Sequence, residues 1–297
     1  MQRAYCTVSV MAGLGMFLLA GCCQQTSDSP PAVEVDTPKA APVDQAPVAA
    51  LKPAVEEPVA FVAQDGEWGH IKGRVTWKPK DIPERKAINV KDNADKLHCL
   101  SKGELLDEVW VVDKKTRGLK WTIVWLIQDD VKNKAPLPIH PKLKEIKEPK
   151  VFVDQPVCAF VPHALAIREG QILVAKNSSP VSHNLKWTGA KNQNNITVPA
   201  GGQLEIKELV AERIPMTIEC GIHPWMNGRV GIFAHPYFAV TDNDGNFEIK
   251  DAPAGKYRLV VYNNFYNGGA EGRNGQQITI PAGKTLELDI AFDPPKE

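Results

Sequence analysis

The sequence predicts an all-β protein, on three observations. Beyond Trp68 almost every periodic segment alternates apolar and polar residues with period two, the pattern of half-buried strands. Clusters of Gly, Pro, Asn and Ser separate these short runs, as in sandwiches and barrels. The block from Val151 to about Ala234 carries no apolar stripe of helical period.

The first 66 of the 297 residues stand apart from this pattern. Gln2 and Arg3 precede an apolar run, Val8 to Ala20, that is shorter than the roughly 20 apolar residues needed to span a bilayer and suits the core of a signal peptide. The run ends in Leu19-Ala20-Gly21-Cys22, which resembles a bacterial lipobox. That resemblance implies a signal peptide over residues 1–21 and a lipidated Cys22; the alternative is a plain secretory leader. Residues 22–66 are rich in Pro, Ala, Val, Asp and Glu, too poor in apolar surface to offset the entropy of ordering, and read as a disordered tether. The expected location is the cell envelope, periplasmic or surface-facing. Acidic and basic side chains number 35 each, so no field of one sign recruits nucleic acid or an anionic membrane.

Three β blocks follow. In residues 67–148, Ile71, Val75 and Trp77 share one face of a strand, and Glu108 to Val112 reads as another. Leu119 to Ile127 is apolar on both faces in its second half, so a central strand is expected. A basic, proline-rich stretch from Asp129 to Lys150 reads as a connection, because proline cannot donate to a ladder. Residues 149–235 contain strands at 151–153, 164–167, 172–175, 184–187, 204–206, 216–220 and 230–233. Residues 236–293 contain a further set, with Asp244-Gly245 reading as a hairpin turn rather than a calcium loop. Thr197 to Ile206 and Thr279 to Leu288 share a Pro-Ala-Gly turn feeding an alternating strand, which suggests two sandwich modules.

One stretch carries chemistry. Cys220, His223 and Met226 recur at three-residue spacing at the end of a predicted strand. Thiolate and thioether are soft ligands and imidazole suits copper, so these three plus one further His make the trigonal His₂Cys set with a weak axial Met of blue copper. His183 opens a predicted strand that follows Asn177 and a tight loop.

Asn177, the loop, His183-Asn184 and Cys220-x-x-His223-x-x-Met226 together resemble the cupredoxin family, with the short ligand loop of its amicyanin branch. The resemblance implies a Greek-key sandwich binding one type 1 copper through His183, Cys220, His223 and Met226. It also implies that Asn177 and Asn184 orient the ligand loop, and that Pro224 and Trp225 form an apolar rim for a redox protein partner such as a cytochrome. The C-terminal block, with Ile71 to Val75 and Leu119 to Ile127, is similar to carboxypeptidase regulatory-like, transthyretin-like sandwiches. That implies a second Ig/transthyretin-like sandwich interrupted by the copper block, unless the N-terminal block packs on the copper block instead.

Cys99 and Cys158 are expected either as a disulfide, given an oxidising compartment, or as two buried thiols. Cys158 and His163 are too few to argue a second metal site. The chain has no His-x-His pair, Gly-x-Ser-x-Gly or His-Glu-x-x-His, and no enzymatic activity is expected. The expected function is one-electron transfer by a lipid-anchored copper protein. The alternatives are copper storage or delivery, and a non-redox module binding a glycan or an envelope protein through Tyr262, Phe265 and Tyr266.

Overall fold

A computed structural model describes residues 67–264, 266–268 and 272–294. The signal peptide, Cys22, the tether and Phe265 lie outside the described residues. What is described is all-β apart from one four-residue α-helix, α1 (Lys96–Cys99), and two 3₁₀ turns.

Sixteen strands follow in chain order. The first two are β1 (Trp68–Trp77) and β2 (Ile123–Gln128). The middle of the chain forms β3 (Lys150–Val153), β4 (Ala164–Arg168), β5 (Ile172–Lys176), β6 (His183–Thr188), β7 (Gln193–Val198), β8 (Gln203–Ile206), β9 (Met216–Glu219) and β10 (Asn227–Phe233). The last six are β11 (Phe238–Val240), β12 (Asn246–Pro253), β13 (Gly255–Asn263), β14 (Tyr266–Gly268), β15 (Gln276–Ile280) and β16 (Thr285–Phe292).

These strands form four sheets. β1 lies between β12, antiparallel, and β16, parallel. Gly73 permits that close packing, since a Cβ there would fall 1.8 Å from the Leu288 carbonyl oxygen. β2 lies between β11 and β13, and β13 continues to β14 and β15. The N-terminal and C-terminal strands therefore share two sheets, which enclose Ile71, Val75, Leu119, Val124, Leu126, Phe247, Leu259 and Phe292. The middle block makes its own pair, β4-β10-β9-β6-β7 and β3-β5-β8, around Val153, Ile167, Leu173, Leu185, Trp187, Ile218 and Ile232.

β2 explains why its sequence is apolar on both faces. Val124 and Leu126 enter the core of the outer sandwich, while Ile123 and Trp125 pack with Ala164, Phe233, Val260 and Tyr262 against β4 and β10 of the middle block. Tyr262 is thereby 3% exposed and is a core residue, not a surface contact. Tyr266, on β14, is 40% exposed.

Several expectations are corrected. Leu119 to Thr122 forms a turn before β2, with Trp121 at φ 63° and its indole donating to Glu108 Oε1 (3.1 Å). Glu108 to Val112 is no strand; only a single bridge, Val112 to Leu119, forms there. The turn at Asp242 to Gly245 is tight, with Asp242 Oδ1 accepting from the backbone of Asp244 (2.9 Å) and Asn246 (2.8 Å), and with Gly245 at φ 79°. Its arms are not a hairpin, because β11 pairs with β2 while β12 pairs with β1, so the chain crosses between sheets. The two Pro-Ala-Gly turns do the same in their respective sandwiches, each with its first Gly at φ 68°.

Candidate metal centre

β9 and β10 are antiparallel neighbours with Glu219 opposite Asn227, so Cys220 to Met226 is the loop that joins them. Its feet are tied by Cys220 N–H donating to Met226 O (3.2 Å), and Met226 N–H donates back to His223 O (2.8 Å). β6 pairs with the other edge of β9, with Lys186 opposite Glu219, which brings the N-terminal end of β6 to the same end of the sheet. His183 opens β6 there.

The result is a convergence of buried donors. Cys220 Sγ lies 3.8 Å from His183 Nδ1 and 3.7 Å from His223 Nδ1, and the two imidazole centroids are 4.5 Å apart. Both histidines are fully buried, and Cys220 and Met226 are nearly so. An ion about 2.1 Å from a nitrogen and about 2.3 Å from a sulfur in a trigonal plane sets those donors roughly 3.8 Å apart. The observed spacings match that figure, and two imidazoles with a thiolate are a copper-compatible donor set. Met226 occupies the same core as Cys220, at the foot of the loop.

Electrostatics favour metal-ready imidazoles. Burial pulls the His183 pKa down to about 4, helped by His223 and His98 nearby. Burial also lowers that of His223, while Asp95 acts in the opposite direction. Each ring is thus neutral near pH 7, as a ligand must be.

The two predicted asparagines hold the frame. Asn184 Oδ1 accepts from Gly221 N–H (2.7 Å), Ile222 N–H (3.3 Å) and the Cys220 thiol (3.4 Å), while its amide donates to Asn195 Oδ1 (2.6 Å). Asn177 is fully buried and donates to the carbonyls of Val181 (2.8 Å) and Val198 (2.9 Å), and its Oδ1 accepts from Ser179. Asn184 thus braces the ligand loop, and Asn177 braces the turn that delivers His183.

A segment that periodicity did not single out closes the site. Asp95 Oδ2 lies 3.2 Å from His223 Nε2, on the side of the ring away from Cys220. Cys99, at the end of α1, is disulfide-bonded to Cys158, and both sulfurs lie within 4.8 Å of a His223 ring nitrogen. The Trp225 indole donates to Cys158 O (3.1 Å), leaving Trp225 half-buried, while Pro224 is exposed. A pocket of about 170 Å³ is lined by Trp225, Met226, Cys158, Glu108 and His163 among others. His163, read from sequence as a strand-start residue, is 4% exposed with Nδ1 3.5 Å from Glu108 Oε2.

Comparison with known proteins supplies three kinds of finding. The family described as polysaccharide lyase family 4, domain II, matches residues 230–288, from β10 into β16. No curated protein matches the chain. Among solved structures, the oxidised P94A mutant of amicyanin is 16% identical, with 30% of this chain and 86% of that chain covered at a TM-score of 0.26. A purple cupredoxin from Nitrosopumilus maritimus is 18% identical, with 27% of this chain and 97% of that chain covered at a TM-score of 0.24.

Proposed function

We propose that this chain binds one copper ion in a type 1 site and carries single electrons at a bacterial cell envelope. His183, Cys220 and His223 would hold the ion, with Met226 as a weak fourth contact. The observation that carries this reading is the convergence of one thiol and two neutral imidazoles, all buried, at N···S spacings of 3.7 and 3.8 Å. The domain boundaries given above, the copper block's membership of the cupredoxins and the second sandwich's likeness to carboxypeptidase regulatory domains belong to the same proposal. The lipid anchor and the redox partner rest on the sequence reading alone.

When bound, copper supplies a one-electron couple. The protein's part is to keep the imidazoles neutral and the whole donor set dry and fixed. Burial does the first two, and the Asn184 bonds to the loop backbone do the third. A donor set that moves little between oxidation states lowers the reorganisation that accompanies electron transfer. In this reading the chain is an electron carrier, and no enzymatic activity is proposed for it.

The closed outer edge of His223 lends some support to a second reading, copper storage or delivery, because a shielded ion exchanges slowly. The two readings differ in whether the bound ion cycles reversibly. Titrating the anchor-free protein with Cu(II) tests the main proposal: an intense visible thiolate-to-copper band is expected, lost in Cys220→Ala and bleached reversibly by ascorbate. A colourless adduct, or a band that survives Cys220→Ala, would remove it.

A further inference from the structure

The carboxylate at the back of His223 comes from a segment far from the ligand loop in sequence, and that segment is fixed in place at several points. Asn93 Oδ1 accepts from Asp95 N–H (2.9 Å), while the Asn93 amide donates to Ile222 O (3.3 Å) on the ligand loop itself. Asp95 O accepts from Cys99 N–H (3.0 Å), and Cys99 is bonded to Cys158. His98 Nε2 lies 3.1 Å from Pro156 O. The Asp95 side chain is 30% exposed while that of His223 is 0% exposed, so the contact bridges the protein surface and the buried donor set.

We infer that Asp95 is a positioning residue for the copper site, accepting a hydrogen bond from the Nε2–H of His223 so that unprotonated Nδ1 is presented toward Cys220, and adding a negative charge that favours Cu(II) over Cu(I). A carboxylate accepts only, so a ring bonded to it must carry its proton on Nε2 and leave Nδ1 as the free donor. Nδ1 is the nitrogen 3.7 Å from Cys220 Sγ. The same bond makes the imidazole a stronger donor, and loss of such a partner typically costs about 10–100-fold in metal affinity. Because the added charge stabilises the dication more than the monocation, Cu(II) affinity falls further than Cu(I) affinity when it is removed. This inference rests on the copper reading for its redox consequence, while its tautomer consequence needs no metal.

Two measurements on the full disulfide-bonded protein test it. In the metal-free protein, ¹⁵N chemical shifts of the His223 ring are expected to report a single Nε2-protonated tautomer, becoming a mixture in Asp95→Ala. In the copper-loaded protein, Asp95→Asn is expected to raise the reduction potential by the equivalent of about tenfold in the Cu(I) to Cu(II) affinity ratio, about 59 mV for one electron. Asp92→Asn, which removes an exposed carboxylate from the same segment, is expected to leave the potential unchanged. An Nδ1-protonated ring in the native protein, an unshifted potential in Asp95→Asn, or an equal shift in Asp92→Asn would overturn the assignment. A native protein that shows the Nε2 tautomer but yields no copper couple defeats the copper reading and leaves the bond to Asp95 standing.

Discussion

The two sandwiches of this protein use the same strand grammar and differ in what they bury at one end. In the outer sandwich, the turn at Asp242 to Gly245 satisfies its own polar groups and leaves the core apolar. In the middle sandwich, the loop from Cys220 to Met226 sends a thiol and an imidazole inward, where a second imidazole meets them. The first arrangement is what folding alone favours, since buried polar groups are costly unless satisfied. The second is stable because Asn177, Asn184 and Asp95 satisfy or brace the groups around it, and its remaining donors point at one another. His183 Nε2, on the side of the ring away from Cys220, is buried and without a partner among the described residues.

That contrast can be broken at three places. The largest effect belongs to the Cys99–Cys158 bond, which closes a separation of 59 residues and ties the Asp95 segment to the block it covers. A loop of that length is worth roughly 4 kcal/mol in the chain-entropy account. Replacing both cysteines with serine is expected to lower unfolding free energy by about that amount in denaturant titrations, while the outer sandwich keeps its cooperative transition.

A slightly smaller effect should appear with pH. Burial and the neighbouring Arg229 hold the His163 pKa at about 4, below its ordinary value of 6.5. As pH falls from about 6.5 to about 4, the unfolded chain takes up a proton there that the folded chain does not. His163 should therefore contribute a decline in stability of up to about 3 kcal/mol across that window, and His183 and His235, which burial also holds at about 4, act in the same direction. Glu108, whose pKa burial raises above its ordinary value, opposes this trend. Thermal melts of the metal-free His163→Gln protein should show a shallower decline.

The smallest effect on stability, with the sharpest effect on the site, is expected for Asn184→Ala. It removes the acceptor of the Gly221 and Ile222 amides, which belong to exposed residues, costing about 1 kcal/mol. Copper affinity should fall about tenfold, as is common when a group bracing a ligand is lost. A matching change in competition titrations against a chromophoric chelator would place the brace in the middle sandwich alone.

Much of this was legible in the sequence because it is written in short-range patterns. Period two located most of the strands, and three-residue spacing singled out Cys220, His223 and Met226. β7 carries no strand signal in the sequence, because Gln193, Asn194 and Asn195 are exposed on a sheet edge and show no alternation. Trp121 looked like a strand residue from its spacing, but a left-handed turn places its indole against Glu108 instead. Asp95 carries the weakest signal in the sequence. It acts across 128 residues of sequence, from a segment with no periodicity, and only its neighbour Cys99 offered a signal.

His183, Cys220 and His223 are proposed to form one donor set. X-ray absorption at the copper edge of the loaded protein tests it most directly. One copper–sulfur and two copper–nitrogen shells are expected, with the sulfur shell lost in Cys220→Ala. A spectrum fitted by nitrogen and oxygen alone in the native protein would contradict the account.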